Sequence, residues 1–357
     1  MRLERQDLLE QGFEGPWLLR CGIADPDGWH RRWCARLPPE LPLDPVLLHG
    51  FALPLLERLH QLAGAGGRPV LALNAPVGAG KTTLGRVLAE LAPLLGFRLA
   101  VASIDDVYLP WAERQRALAG NPFGVTRVPP GSHDPVLLCE RLEQWRSGGV
   151  LRLPRFDKTL RDGEGDRCAD RVVPADALLL EGWLLGCRPL GSALVPLLLQ
   201  GSEGPGETLR EEERSWLGHW DRALEAYLPL WQGCQELWLM HPLHWELPRR
   251  WRFQAEARQR RKGGNTLSAT ALGNLVRASL CSLPPQLYQQ PLQALVDPPG
   301  DGSAGRSNLQ KVAGQTEGPI AGSLPARDAL RPVAAALLDQ RRRLHHLLVA
   351  EPAPAAS

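Results

Sequence analysis

Five short groups of residues in this sequence have types and spacings suited to chemistry on a phosphate. The first is Ala75-Pro76-Val77-Gly78-Ala79-Gly80-Lys81-Thr82-Thr83. Its small residues let backbone N–H groups converge on phosphate oxygens at the positive end of a following helix. Lys81 would reach the β- and γ-phosphates of a nucleotide, and the Thr82 hydroxyl would hold Mg²⁺. The pattern is the phosphate-binding loop G-x-x-x-x-G-K-[ST], or P-loop, with Ala75 standing where the first Gly is usual. Alanine disfavours positive φ, so the loop should begin in an ordinary conformation.

The second group, Ser103-Ile104-Asp105-Asp106, follows an apolar run. A carboxylate at the end of a strand can accept the proton of an attacking hydroxyl or help hold a metal, and Asp105 is favoured over Asp106, which is expected on the substrate side. A turn or a helix cap would use the same residues. In the third group, four apolar residues, Ala177 to Leu180, lead into Glu181. That is the metal-side strand of a P-loop enzyme with Glu in place of Asp, and a carboxylate buried there without a cation would be costly.

The fourth group is Pro154-Arg155-Phe156-Asp157-Lys158 with Gly165-Asp166-Arg167. Arg155, Lys158 and Arg167 could pair with a small anionic acceptor, and a salt-bridged hairpin would use them equally well. His133, in Gly131-Ser132-His133-Asp134, is a further substrate-side candidate. The fifth is the basic run 249–262, where Arg258 and Arg261 could serve as lid residues offsetting charge on a transferring phosphoryl group. A solvated helix face would look the same.

These groups need elements to hold them. Residues 1–66 read as a helical N-terminal extension bearing Trp17, Trp29 and Trp33. Residues 67–296 read as the catalytic core, with strands before the P-loop and at 98–103, 177–180 and 236–240. Helices are expected over 81–95, 134–146 with Asp134 at its cap, 211–231 and 245–261. The Pro/Gly-rich excursion 108–133 is too long for a plain connection. Residues 297–325 read as a mobile linker or insertion, and 326–357 as a closing helix and tail. Strands alternating with helices predict an α/β, P-loop-type three-layer fold around a mostly parallel sheet.

Composition narrows the classes. A chain of 357 residues with net charge +2 gives no electrostatic case for nucleic acid or membrane partners. No apolar stretch approaches the roughly 18 residues of a membrane span, and the first residues carry no signal core. The seven cysteines show no C-x-x-C and no His at ligand spacing, which points to reduced thiols and a cytoplasmic protein, expected to be a monomer. Of 41 basic residues only four are lysine, and Lys81 and Lys158 are two of them. Such survivors mark places that need a compact ammonium.

SIDDVYL, NP…PPGSHD, LPRFDKTLRDGEGDR, LLLEGWLLG and WRFQAEARQRRKGG…LPPQLY occur in an order that resembles the D-glycerate 3-kinases of the plant and cyanobacterial type. These are relatives of phosphoribulokinase, uridine kinase and pantothenate kinase. The resemblance spans residues 69–288, and the LPRFDK and EGWLLG elements are its most specific parts. It implies ATP-dependent phosphorylation of D-glycerate in photorespiratory salvage, with ATP and Mg²⁺. Asp105 would match the acceptor-activating aspartate and would also border the metal. Thr82 and Glu181 would match the Mg²⁺ site, with Arg155, Lys158 and Arg167 near the acceptor. Another acceptor (pantothenate, a nucleoside or a sugar phosphate) and an NTP-driven switch are the competing readings. No N-K-x-D and no L-S-G-G-Q-like motif favours the switch. Family members close with a strand-rich segment, whereas residues 300–322 here are polar and Gly-rich.

Overall fold

Runs of apolar residues bounded by Gly, Pro and charge become strands: β2 (Val70–Asn74), β3 (Leu99–Ser103), β6 (Ala177–Gly182), β7 (Glu236–Pro242) and β8 (Pro332–Leu338). The computed structural model describes residues 2–6, 16–191, 195, 208–261, 263, 267–296 and 330–350. Short β1 (Arg2–Glu4) and β9 (Leu344–Val349) complete a seven-stranded sheet in the order β1-β9-β8-β7-β2-β6-β3. The five strands from β8 to β3 are parallel, and β9 and β1 are antiparallel additions at one edge. Every residue of β2 and β6 is buried, as parallel strands covered on both faces must be.

Period-two alternation divides the core into two layers. Leu71, Leu73, Trp238 and Met240 face the P-loop helix Lys81–Leu91 together with Trp17, Trp29, Trp33, Phe51 and Leu56. Val70, Ala72, Leu178 and Leu239 face the opposite layer, built on Pro135–Arg146, Glu211–Ala223 and Ala269–Cys281. The expected three-layer α/β architecture is therefore present. The described helices before the P-loop are part of a covering layer, with the Trp17 and Phe51 rings 4.9 and 5.3 Å from Trp238. No helix among the described residues is long and apolar enough to cross a membrane.

Two expectations fail at the sheet edge. The closing helix expected within 326–357 is instead β8, a turn and β9, and the N-terminal region opens with β1. The run Pro-Val-Ala-Ala-Ala-Leu-Leu carries good helix formers, but the edge of β7 offers unpaired backbone groups along its length. Tertiary pairing overrides propensity there. The polar Asp339–Arg343 stretch is the hairpin turn: the Asp339 carboxylate accepts from the N–H groups of Arg341 and Arg343, and Arg342 takes φ 61°. The expected linker 297–325 lies outside the described residues.

The excursion 108–133 is tied down by cations. Tyr108 and His133 form an isolated antiparallel bridge. Buried Arg114, on the helix Trp111–Ala117, donates to the carbonyls of Leu109, Thr126, Glu164 and Gly165. Arg127 donates to those of Gly163 and Glu164. Carbonyls that no strand can satisfy are thus paired. They bind the excursion to the antiparallel hairpin of β4 (Leu151–Asp157) and β5 (Asp166–Val173).

Candidate active site

Parallel register brings the chemistry together. Ser103 lies opposite Glu181, and Asn74 opposite Gly182, so the carboxyl ends of β3, β6 and β2 adjoin. Ligands of open α/β sheets bind beyond such ends. The loop leaves β2 with the Ala75 N–H donating to the Gly182 carbonyl at 2.9 Å. Ala75 has no positive φ, as its side chain required, whereas Gly78 and Gly80 sit at 79° and 103°. Gly78 has a second constraint: a Cβ there would lie 2.7 Å from the Arg252 nitrogen, at the helix Leu247–Arg261. Gly80 directly precedes the helix that begins at Lys81, so the helix N-terminus faces the loop.

Thr82 donates its hydroxyl to Glu181 Oε1 at 2.8 Å, and Lys81 Nζ lies 4.0 Å from Oε2. Glu181 is 1% exposed, and its Oε2 has no hydrogen-bond partner among the described residues. Burial pushes its pKa up, against the pull of Lys81 and Thr82. A buried carboxylate oxygen beside a hydroxyl is the hard-oxygen donor set that suits Mg²⁺, so the residues fit the ion.

Asp105 adjoins this group from the turn Ile104–Val107 that follows β3. The buried Tyr108 hydroxyl donates to its Oδ1 at 3.0 Å, and Lys158 Nζ stands 3.3 Å from Oδ2. Burial alone would raise its pKa, but Lys158, Lys81, His133 and the Tyr108 hydrogen bond outweigh it. They hold the carboxyl well below the usual range. Asp106 is occupied differently. Its carboxylate accepts the Ser103 N–H at 3.3 Å while Ser103 Oγ accepts from the Asp105 N–H, a cap that fixes the turn after β3. Burial raises the Asp106 pKa.

His133 lies behind Tyr108, with the rings stacked at 4.5 Å. Its Nδ1 pairs with the Tyr227 hydroxyl at 2.8 Å, and its buried Nε2 has no hydrogen-bond partner among the described residues. Burial lowers its pKa to about 4, so the ring is neutral near pH 7 and supports Tyr108 through stacking.

Comparison with known proteins finds relatives of the whole fold. Over 219 residues the chain is 29% identical to a chloroplastic D-glycerate 3-kinase of Arabidopsis thaliana, covering 58% of this chain and 45% of that protein. It thus spans less than half of the plant protein's length. It is 27% identical to the uncharacterized kinase mug58 of Schizosaccharomyces pombe, over 57% of this chain and 75% of that one. A solved D-glycerate 3-kinase from Cryptococcus neoformans superposes with TM-score 0.63 at 22% identity, covering 84% of this chain and 97% of that one. The chain has the P-loop kinase fold. The relatives support the resemblance drawn from its motifs and the reading of a small-molecule kinase. No protein-family model matches the chain.

Within this kinase fold the remaining candidates separate. Lys158 joins the site and Arg167 does not. Arg167 donates through Nε and Nη2 to the Tyr108 carbonyl and pairs with Asp134 at 3.1 Å, bracing the excursion from β5. Arg155 is exposed on β4. Arg258 lines an open cleft with Arg250, Gln254, Gln340, Arg341 and Arg342, while Arg261 is exposed at the last turn of the same helix.

Sequence reading missed two residues here. Tyr108 is one of only three tyrosines, and its scarcity and its place three residues after Asp105 were an available signal. Arg342, from the β8–β9 turn, donates to the Gly78 carbonyl at 2.7 Å and to the Trp251 carbonyl at 2.9 Å. Nothing in its local sequence announces that. One cysteine also departs from expectation. His30 precedes Cys34 by one helical turn, with its Nε2 3.5 Å from Sγ.

Proposed function

We propose that this protein transfers the γ-phosphoryl group of ATP to the primary hydroxyl of D-glycerate, giving 3-phosphoglycerate. The observation that carries the reading is Asp105, an ionised carboxylate gripped by Tyr108 and Lys158 beside the Lys81–Thr82–Glu181 group. The plant and fungal relatives named as D-glycerate 3-kinases support the acceptor. Photorespiratory salvage and a cytoplasmic, monomeric protein belong to the same proposal.

Loop N–H groups and the helix N-terminus bind the β- and γ-phosphates, with Lys81 paired to them. Asp105 orients the acceptor hydroxyl and takes its proton as the new O–P bond forms and the bond to the β–γ bridging oxygen breaks, releasing ADP. Thr82 and Glu181 would hold Mg²⁺, with Asp105 at its border, and the ion supplies charge neutralisation on the phosphates. Lys158, with Arg155 on the same hairpin, offers the positive charge that a small carboxylate acceptor needs. Arg258 is assigned to the lid because it shares a cleft with Arg342, which touches the P-loop. Arg261 keeps a lid role only in a closed arrangement.

ADP release by purified protein with Mg-ATP, measured across D-glycerate, L-glycerate, pantothenate, uridine and ribulose 5-phosphate, tests the proposal. Stimulation by D-glycerate is expected. Stimulation by another acceptor alone overturns the substrate, and acceptor-independent hydrolysis alone overturns the kinase.

A further inference from the structure

Away from the phosphate-binding residues, three side chains able to ligate a soft metal converge on the N-terminal helical layer. His30 and Cys34 are four apart on the helix Pro26–Arg36, so they stand one above the other on one face. His49 comes from the π-helical turn Leu48–Ala52, a wide turn of a kind frequent at functional sites. The His30 and His49 rings are 4.8 Å apart and tilted by 59°. One ligand atom from each of the three residues lies within 4.8 Å of the others.

We propose that His30, Cys34 and His49 form a transition-metal site of the Zn²⁺ type, with two imidazole nitrogens, one thiolate and a fourth position open to solvent. The separations support it. Ligands about 2.0–2.3 Å from a tetrahedral ion lie some 3.3–3.8 Å apart, which the His30–Cys34 pair meets at 3.5 Å. His49 closes the remaining distance by side-chain rotation of about 1 Å. The ligand helix is held in rotation from beneath: the Trp29 and Trp33 indoles both donate to Glu57 Oε1, at 2.9 and 3.0 Å, on the helix Leu53–Gly64.

Thiolate and imidazole donors select Zn²⁺ over Mg²⁺, which demands oxygen ligands, so this site and the oxygen site at Glu181 take different ions. Binding displaces one proton from Cys34 Sγ to solvent and joins Pro26–Arg36 to the Leu48–Ala52 turn. An ion bound by the folded chain and not by the unfolded one stabilises the fold.

Titration of the nucleotide-free, full-length protein with Co²⁺, in buffer without Mg²⁺, tests the proposal. One equivalent should bind with thiolate-to-cobalt charge-transfer absorption, and one equivalent of Zn²⁺ should displace it. Cys34→Ser, an exposed position that the fold tolerates, should lose the absorption and weaken Zn²⁺ binding at least about tenfold to hundredfold. Zn²⁺ should raise the melting temperature of the parent protein and not that of Cys34→Ser. Cys168→Ser should keep the cobalt signal. A signal that persists in Cys34→Ser, one that is lost in Cys168→Ser, or no stoichiometric uptake by the parent protein overturns the site.

Discussion

Tyr108 and Asp105 are joined by a hydrogen bond of 3.0 Å from hydroxyl to carboxylate, within one short turn after β3. Tyr108 is itself fixed by His133 stacked on its ring and by Arg167 on its carbonyl. The carboxylate is therefore oriented from behind, with Lys158 on its other oxygen. Removing the hydroxyl in Tyr108→Phe should lower kcat about tenfold, the worth of one hydrogen bond to a charged group, with ATP binding unchanged. Steady-state kinetics beside nucleotide titration check this. An increase in KM for ATP with kcat unchanged would contradict the orienting role.

Asp105→Asn should keep the fold and ATP binding but reduce kcat by about 10²–10⁴, the range of general-base assistance. Asp106→Asn should instead act through its cap on Ser103, lowering the melting temperature while retaining most of the turnover. Parallel kinetic and thermal measurements on the two variants separate the roles. Near-normal turnover in Asp105→Asn would remove the base from this residue.

Lys158→Met should raise the Asp105 pKa, because Lys158 is the strongest cation holding it down. In the parent protein the depressed pKa keeps Asp105 ionised throughout the neutral range, so the acid limb of kcat/KM from this group lies below the ordinary carboxylate range. In Lys158→Met that limb should move to higher pH. A pH profile with an unmoved acid limb would show that Lys158 does not tune the base.

Burial of neutral histidine makes stability fall with acid. The His133 pKa is about 4 in the folded protein, against an ordinary value of 6.5. The unfolded chain binds the proton first, so stability is full above pH 6.5 and is lost as pH falls toward 4. His133 alone accounts for about 3 kcal/mol of that loss. Urea unfolding between pH 4 and 7 should show a shallower pH dependence in His133→Gln than in the parent protein.

Arg342→Ala should raise the KM for ATP more than it lowers kcat, because Arg342 ties the Gly78 carbonyl to the Trp251 carbonyl. Arg342→Lys should not restore binding, since one ammonium cannot reproduce the two directions of the guanidinium fork. Rescue by lysine would reduce Arg342 to a source of positive charge.

Much of the donor side was legible because its signals are local. The apolar runs before Ala75, Asp105 and Glu181 fix both strand and strand end, and the P-loop glycines fall where positive φ is needed. Parallel pairing of those strands then makes the site. The acceptor side was less legible because residue type does not reveal partner. Arg167 and Lys158 looked alike as cations near one hairpin, yet one braces the Tyr108 carbonyl and Asp134 and the other reaches Asp105, 53 positions away. At β8 the alanines favoured a helix locally, and only the unpaired edge of β7 decided for a strand. Arg342 was invisible for the same reason, since its partner lies 264 positions earlier.

The antiparallel edge has a consequence for biogenesis. As the chain leaves the ribosome, β7 can settle beside β2 early, but its other edge has no neighbour until residues 332–338 are made. For that interval a buried-type apolar strand offers a free row of backbone donors and acceptors, the surface most prone to intermolecular pairing. Arrival of β8 and β9 ends the exposure, and β1, made long before them, then finds its place on β9. Translation that stalls shortly before residue 330 should therefore yield chains that need chaperone protection, although every residue of the Lys81–Asp105–Glu181 group has already been made.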